Sequence, residues 1–195
     1  MKMNKSWFPL LLLLVGLFAG CEQKSPGEQV LADRPSDNTK VHWMTWEEVQ
    51  LAQQVEPRKV FVDVYTEWCG PCKLLNKNTF TNPVIIATLN EQYYPVKFNA
   101  QHEGPIDFKG QVLENPDYDP AKGQKRRNGV HQLARGMQVS AYPTLVFLNE
   151  NLDMIQGVPG YKTPQQLEPM LAYLGANAQN ETPYNQWLSS FQSQL

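Results

Sequence analysis

The sequence predicts an α/β domain in which β-strands alternate with helices. Three runs rich in β-branched, aromatic and other apolar residues predict strands at 59–65, 94–99 and 144–148. Other segments begin with residues that cap helices, such as Thr45 and Asn82. The chain has 195 residues, of which 42% are hydrophobic, so it can form one globular domain with some additional segments.

The first half of the domain contains three predicted helices and two predicted strands. Thr45 and Glu48 form a capping box, in which each side chain bonds a backbone amide at the start of the helix. A proline directly after Asn82 is typical of the first position of a helix. The predicted elements are a helix from Trp46 to about Gln54, a strand at Lys59–Tyr65, a helix from the Cys69 segment to about Asn78, a helix from Pro83 through Asn90 and a strand at Tyr94–Asn99.

Residues 101–129 interrupt this alternation. They contain four glycines, three prolines and a basic cluster, and they predict a long inserted loop with a short hairpin. We interpret the basic cluster as solvated surface rather than a ligand site; its members are Lys122, Lys125, Arg126 and Arg127. The elements predicted after the insertion are a helix at His131–Met137, a strand at Thr144–Leu148, an edge strand at Met154–Val158, a helix capped by Thr163 through Leu174, and a short helix around Tyr184 to Phe191 in a C-terminal extension at 177–195.

The N-terminal residues predict export from the cytoplasm. Lys2 and Lys5 precede an apolar run from Trp7 to Ala19, which is shorter than the roughly 20 residues that a bilayer span needs. Residues 1–20 are therefore a predicted signal peptide. The segment Leu-Phe-Ala-Gly-Cys, ending at Cys21, resembles the bacterial lipobox, at which the signal is removed and the cysteine is lipidated. The alternative is an ordinary signal peptide with Cys21 as a spare thiol.

A lipidated Cys21 would anchor the chain to a membrane of the bacterial cell envelope, with the domain facing the periplasm or the cell exterior. Residues 21–40 are rich in Pro, Gly, Ser and charge, so they predict a flexible tether to a domain at 41–176. The formal net charge of −2 gives no reason to expect nucleic acid as a partner. We expect a monomer.

Cys69 and Cys72 stand three positions apart in the segment TEWCGPCK, and three functions compete for them. A zinc site of this spacing needs two more ligands, and none of the three histidines lies in a second close pair. A purely structural disulfide would close a very short loop and would therefore contribute little stability. The pattern favours a redox-active pair, with no metal and no other cofactor.

Helix geometry is consistent with a redox pair. If Cys69 lies at the N-terminal edge of a helix, Cys72 lies one turn further on the same face, within disulfide distance. Helix N-terminal amides stabilise a thiolate, and Pro71 is tolerated in the first turn. We therefore expect Cys69 to be the exposed nucleophile and Cys72 to resolve the mixed disulfide.

The segment VDVYTEWCGPCK, from Val62 to Lys73, resembles the active-site segment of thioredoxin. Asp63, six residues before Cys69, occupies the position of the buried carboxylate of that family. The strand around Lys97 resembles the one that carries a lysine near this carboxylate. The segment Ala-Tyr-Pro-Thr, ending at Thr144, resembles the cis-proline loop that faces the dithiol. The resemblance extends from about residue 41 to 175 and implies a thioredoxin fold, with a central mixed sheet flanked by helices.

The resemblance also implies roles for individual residues. Asp63 would move protons for Cys72, with Lys97 tuning it, and Pro143 would be cis, next to the cysteines, where substrate backbone can pair. The remaining site residues implied are Trp68, Gly70 and Pro71 in the active-site loop, and Tyr142 and Thr144 beside Pro143. Trp68 is interpreted either as a shielding and docking surface or as plain packing.

The predicted function is therefore a membrane-tethered thiol–disulfide oxidoreductase that reduces protein disulfides outside the cytoplasm. The Cys-Gly-Pro-Cys sequence is the reducing version of the motif in this family. Such a reductase would need a membrane protein as electron donor. The alternatives are a disulfide oxidase or isomerase on the same scaffold, since Tyr142 stands where an aliphatic residue is usual, and a client-binding module without redox turnover.

Overall fold

The computed structural model describes residues 23–195, which form a four-stranded mixed sheet between two layers of helices. The helices are α1 (Pro26–Asp33), α2 (Trp46–Gln53), α3 (Gly70–Asn78), α4 (Pro83–Gln92), α5 (Gln132–Gly136), α6 (Pro164–Gly175) and α7 (Tyr184–Leu188), with a 3-10 helix at Ala178–Asn180. The strands are β1 (Lys59–Tyr65), β2 (Tyr93–Asn99), β3 (Ile106–Phe108), β4 (Gln111–Leu113), β5 (Thr144–Leu148) and β6 (Met154–Pro159).

The strand order of the main sheet is β2-β1-β5-β6. β1 pairs parallel with β2 and antiparallel with β5, and β5 pairs antiparallel with β6. β1 is thus an inner strand, buried from Lys59 through Val64, which explains its nearly continuous apolar sequence. The predicted mixed α/β sheet is confirmed, and β6 is the edge strand that the sequence predicts.

Alternating side chains of β1 face two separate cores, because successive residues of a strand point to opposite faces. Val60, Val62 and Val64 pack with α1, α2 and α5 on one face. Phe61 packs on the other face, with Leu75 of α3 and with residues of α4 and α6. The helix layer that contains α3 therefore covers the face of β1 from which Phe61 projects.

The helix starts follow the capping signals of the sequence. Thr45 and Glu48 form the predicted capping box of α2, and Thr163 forms another with Gln166 at α6. The side chain of Asn82 accepts hydrogen bonds from two amides at the start of α4. These bonds satisfy amides that have no partner within the helix.

The prediction of a flexible tether at 21–40 is wrong for its middle part. Residues 26–33 form α1, which begins with a capping box between Ser25 and Glu28. Gly27 of α1 is buried against α2. Only glycine fits at this position, because a β-carbon would lie 2.3 Å from the carbonyl oxygen of Leu51. The close contact between the two helix backbones fixes α1 against α2.

The predicted signal peptide at 1–20 and the predicted lipidation at Cys21 lie outside the described residues. Within residues 23–195, no helix is both long enough and apolar enough to span a bilayer.

The insertion contains the predicted hairpin, formed by β3 and β4. Two hydrogen bonds with the Gln50 side chain attach it to α2: the side-chain amide donates to the Asp107 carbonyl and the amide oxygen accepts from the Lys109 N–H. The ring of Phe108 meets that of Trp46 edge to face, 5.1 Å apart. The insertion is thus packed on the domain, and near its end Arg127 lies over the ring of Trp68, just before α3.

Candidate active site

Cys69 and Cys72 are joined by a disulfide at the start of α3, and their Cα atoms are 5.3 Å apart. Cys69 is the N-cap residue of this helix, since its sulfur accepts a hydrogen bond from the Cys72 N–H at 3.1 Å. The predicted position of the dithiol at a helix start is therefore confirmed. Gly70 and Pro71 occupy the first turn and are exposed, as the active-site loop requires.

The expected exposure of Cys69 is wrong for the disulfide form. Cys69 is 3% exposed and Cys72 is 1% exposed. The two sulfurs thus differ little in accessibility in this form.

Asp63 is buried in the face of β1 that α3 covers. It lies two residues after Phe61 on the same strand, so both side chains project towards the α3 layer. Both carboxyl oxygens are buried, and neither has a hydrogen-bond partner among residues 23–195. Desolvation raises the pKa of Asp63 to about 7, while the charge of Lys97 acts in the opposite direction.

Lys97 lies beside Asp63 on β2, as its register partner across the parallel strand pair. Its ammonium group donates a hydrogen bond of 2.5 Å to the side-chain oxygen of Asn76 on α3. The ammonium also lies 5.3 Å from the centre of the Tyr65 ring. Burial lowers the pKa of Lys97, and the neighbouring Asp63 partly offsets this effect.

The loop before β5 has the predicted cis peptide bond between Tyr142 and Pro143. The Pro143 carbonyl accepts a hydrogen bond from the Gly160 N–H at 2.7 Å, which ties this loop to the end of β6. Thr144 is buried and its hydroxyl donates to the Ala141 carbonyl at 2.8 Å. The Thr144 side chain therefore stabilises the loop, and its contact with substrate stays a prediction.

Trp68 connects the dithiol segment to the proline loop and to the insertion. Its ring meets that of Tyr142 edge to face, 5.7 Å apart, and its indole N–H donates to the side-chain oxygen of Gln101 at 2.6 Å. The guanidinium of Arg127 lies 5.3 Å from the centre of the Trp68 ring. Lys122, Lys125, Arg126 and Arg127 are exposed, as the interpretation of the basic cluster as solvated surface requires, and Arg127 in addition contacts Trp68.

Asn76, Gln101 and Arg127 are site residues that the sequence analysis missed. Each is positioned by contacts between segments far apart in sequence, and no local motif marks them. The basic cluster around Arg127 was the one available signal, because an inserted charge cluster is functional in some proteins. As to metals, residues 23–195 contain no group of three or more His, Cys, Asp or Glu residues that could hold an ion.

The burial of Asp63 predicts an unusual pH dependence of stability. In the unfolded chain its carboxyl ionises near pH 3.9, whereas in the folded chain it holds its proton up to about pH 7. Asp63 therefore destabilises the folded chain progressively as the pH rises through this window. We compare the free energy of unfolding of Asp63→Asn with that of the unmodified protein. The difference in favour of the variant should be about 3 kcal/mol larger at pH 8 than at pH 5.

Urea denaturation of both oxidised proteins at the two pH values measures this gain. Glu103→Gln is the matched control, because it removes a carboxylate that is exposed. A gain that is equal at pH 5 and pH 8 would contradict the raised pKa of Asp63.

Comparison with known proteins agrees with this geometry. A family model described as a thioredoxin-like domain matches residues 47–175. Protein disulfide-isomerase 5-2 of Arabidopsis thaliana is 26% identical over 115 residues, which are 59% of this chain and 19% of that protein. The chain thus spans about a fifth of the length of this curated relative.

Two solved structures share the fold. A thioredoxin-fold protein from Helicobacter pylori superposes with a TM-score of 0.53 at 17% identity, covering 82% of this chain and 90% of its own. A thioredoxin from Thermus thermophilus superposes with a TM-score of 0.50 at 18% identity, covering 69% of this chain and 87% of its own. These likenesses support the fold, and the family model covers well over half of the chain. The protein therefore belongs to the thioredoxin-like family.

Proposed function

We propose that this protein is a membrane-tethered reductase of protein disulfides that works outside the cytoplasm. The observation that carries the proposal is the closed Cys69–Cys72 disulfide at the start of α3, beside the sheet face that buries Asp63. A cysteine pair that cycles between dithiol and disulfide needs an activated sulfur and a group that transfers a proton. The helix start supplies the first requirement and the buried carboxyl group supplies the second.

The reaction begins with the reduced pair. The Cys69 thiolate attacks one sulfur of a client disulfide, so that a bond forms between Cys69 and the client, and the other client sulfur leaves as a thiolate. Cys72 then gives its proton to the ionised Asp63 and attacks the Cys69 sulfur, which breaks the mixed disulfide and releases the second client thiolate. Two electrons pass to the client, and the protein is left with its Cys69–Cys72 disulfide.

The pKa of Asp63 suits this transfer. A value of about 7 means that protonated and ionised forms are both well populated at neutral pH. Such a group can accept the Cys72 proton and later return it when the disulfide is reduced again. We propose that Lys97, held by Asn76, limits how far burial raises this pKa.

The dipeptide between the cysteines supports the reducing direction. Thioredoxin, with the same Gly-Pro pair, lies near −270 mV, whereas a strongly oxidising relative lies near −120 mV. This gap corresponds to about 7 kcal/mol for two electrons. A second candidate function, disulfide isomerisation, is favoured by the name of the Arabidopsis relative and by Tyr142 before the proline.

The location follows from the N-terminal sequence. A leader at 1–20 and a lipidated Cys21 would hold the domain at a membrane, where a membrane protein can supply electrons from the cytoplasm. Oxidised protein must be recycled by such a donor, which itself must carry a reduced dithiol or an equivalent two-electron group. Protein thiols and disulfides outside the cytoplasm are the proposed substrates.

A trapping experiment tests the dithiol mechanism. Reduced Cys72→Ser protein, mixed with insulin as a disulfide substrate, should accumulate a covalent adduct, because nothing remains to resolve the mixed disulfide. Non-reducing gel electrophoresis and mass analysis of the adduct should assign the new bond to Cys69. The matched variant Cys69→Ser should form no adduct, and equal adduct formation by both variants would rule out the assigned nucleophile.

The reduction potential tests the direction. Equilibration of the Cys69–Cys72 pair with glutathione buffers should give a potential near that of thioredoxin, about −270 mV. The fraction of oxidised pair is measured by alkylation and mass analysis at each ratio of reduced to oxidised glutathione. A potential above about −180 mV, the range of the isomerases, would exclude the reductase and favour the second candidate function.

A further inference from the structure

The insertion contacts Trp68, the aromatic residue directly before the dithiol. The indole N–H of Trp68 donates a hydrogen bond to Gln101, at the start of the insertion. The guanidinium of Arg127, near the end of the insertion, lies over the Trp68 ring. The ring of Tyr142 meets Trp68 edge to face. Both ends of the insertion therefore lie beside the position where a client disulfide must approach.

The end of the insertion is held in place by side-chain bonds to its own backbone. The amide of Asn128 donates to the carbonyls of Asp119 and Gly123, and its oxygen accepts from the Asp119 N–H. Asn99, the last residue of β2, donates to the side-chain oxygen of Gln124 at 2.8 Å. The segment that carries the basic residues thus has a defined position relative to the sheet.

The charges on this segment are available for a partner. Lys125, Arg126 and Arg127 are exposed, and none of them forms an ion pair with any residue that the structure describes. Lys122, by contrast, pairs with Asp119 at 3.5 Å. The nearby acidic residues Asp117 and Asp119 of the insertion already pair with Arg135 and Lys122, respectively. The three consecutive cations therefore keep charge that a partner can neutralise.

The guanidinium of Arg127 lies 5.3 Å from the centre of the Trp68 ring and is exposed. The five N–H donors of a guanidinium lie in one plane. This plane suits a carboxylate, which can accept two parallel N–H bonds from one arginine. Under the proposed function, the molecule that reaches Cys69 is a polypeptide that carries a disulfide, and its carboxylates are the groups that this surface can bind.

We propose that Lys125, Arg126 and Arg127 form, with Trp68, a docking surface for acidic residues that flank the cysteines of client proteins. The inference rests on the proposed function and names its substrate class. The surface selects clients by charge complementarity, which mainly increases the rate of productive encounter.

Two disulfide-bridged peptides that differ only in the residues beside their cysteines, Glu in one and Lys in the other, test the selection. The 195-residue chain is first reduced, and the second-order rate constant with which it reduces each peptide is measured. This rate constant is divided by the one with which dithiothreitol reduces the same peptide. We expect the acidic peptide to be reduced about fivefold to tenfold faster than the basic one. The preference should shrink at 0.5 M NaCl, because salt screens exposed charges.

The double variant Arg126→Gln/Arg127→Gln should reduce the preference to about twofold or less. The matched control, Lys24→Gln/Lys40→Gln, removes the same net charge from exposed residues outside the insertion and should keep the preference. If the arginine variant slows both peptides equally, these residues act on the dithiol and not on client selection, which overturns the inference.

The remaining outcomes separate the two proposals. Equal rates for the two peptides with the unmodified protein would overturn the docking surface and leave the reductase standing. Failure to reduce either peptide would overturn the proposed function and the inference with it. Binding to vesicles of anionic phosphatidylglycerol that depends on both arginines, without any peptide preference, would assign the surface to a membrane instead and would also overturn it.

Discussion

The junction between β1 and α3 is the constraint on which the rest of the site depends. The chain leaves a strand that is buried from Lys59 through Val64, and the Cys69 N–H then donates a hydrogen bond to the Thr66 carbonyl at 3.1 Å, which helps to position the first sulfur. That sulfur caps α3, and α3 covers the strand face that contains Asp63. A buried carboxyl group without a partner costs several kcal/mol when it is charged. The fold tolerates it next to the dithiol, where the same burial produces a group that can exchange a proton near neutral pH.

The insertion changes what surrounds this junction. Trp68, the residue before Cys69, donates a hydrogen bond to Gln101 and lies beneath the guanidinium of Arg127, so both ends of the insertion contact the disulfide segment. In our proposal, the chemistry at the sulfurs and the selection of clients are set by different parts of the chain. The first depends on the sheet and α3, and the second on the exposed basic residues of the insertion.

The regular elements could be predicted because their signals are local. The caps at Thr45 and Asn82 and the apolar run of β1 depend only on neighbouring residues, and the structure places them as predicted. The same kind of signal, Ser25-Pro26 followed by Glu28, marks α1, but the polar composition of the surrounding segment favoured a tether. The contact of Arg127 with Trp68 joins residues far apart in sequence, and no pattern in either segment indicates it. The burial of Cys69 likewise depends on how the folded chain packs around the start of α3.

The central claim is that the helix start activates the sulfur of Cys69 once the disulfide is opened. The most direct measurement is the rate at which iodoacetamide alkylates Cys69 in the reduced protein as a function of pH, with the modified residue identified by peptide mass. The account predicts a midpoint well below that of a free thiol, because the amides at the start of α3 stabilise the thiolate. A midpoint near 8.5, the value of an unperturbed cysteine, would contradict it.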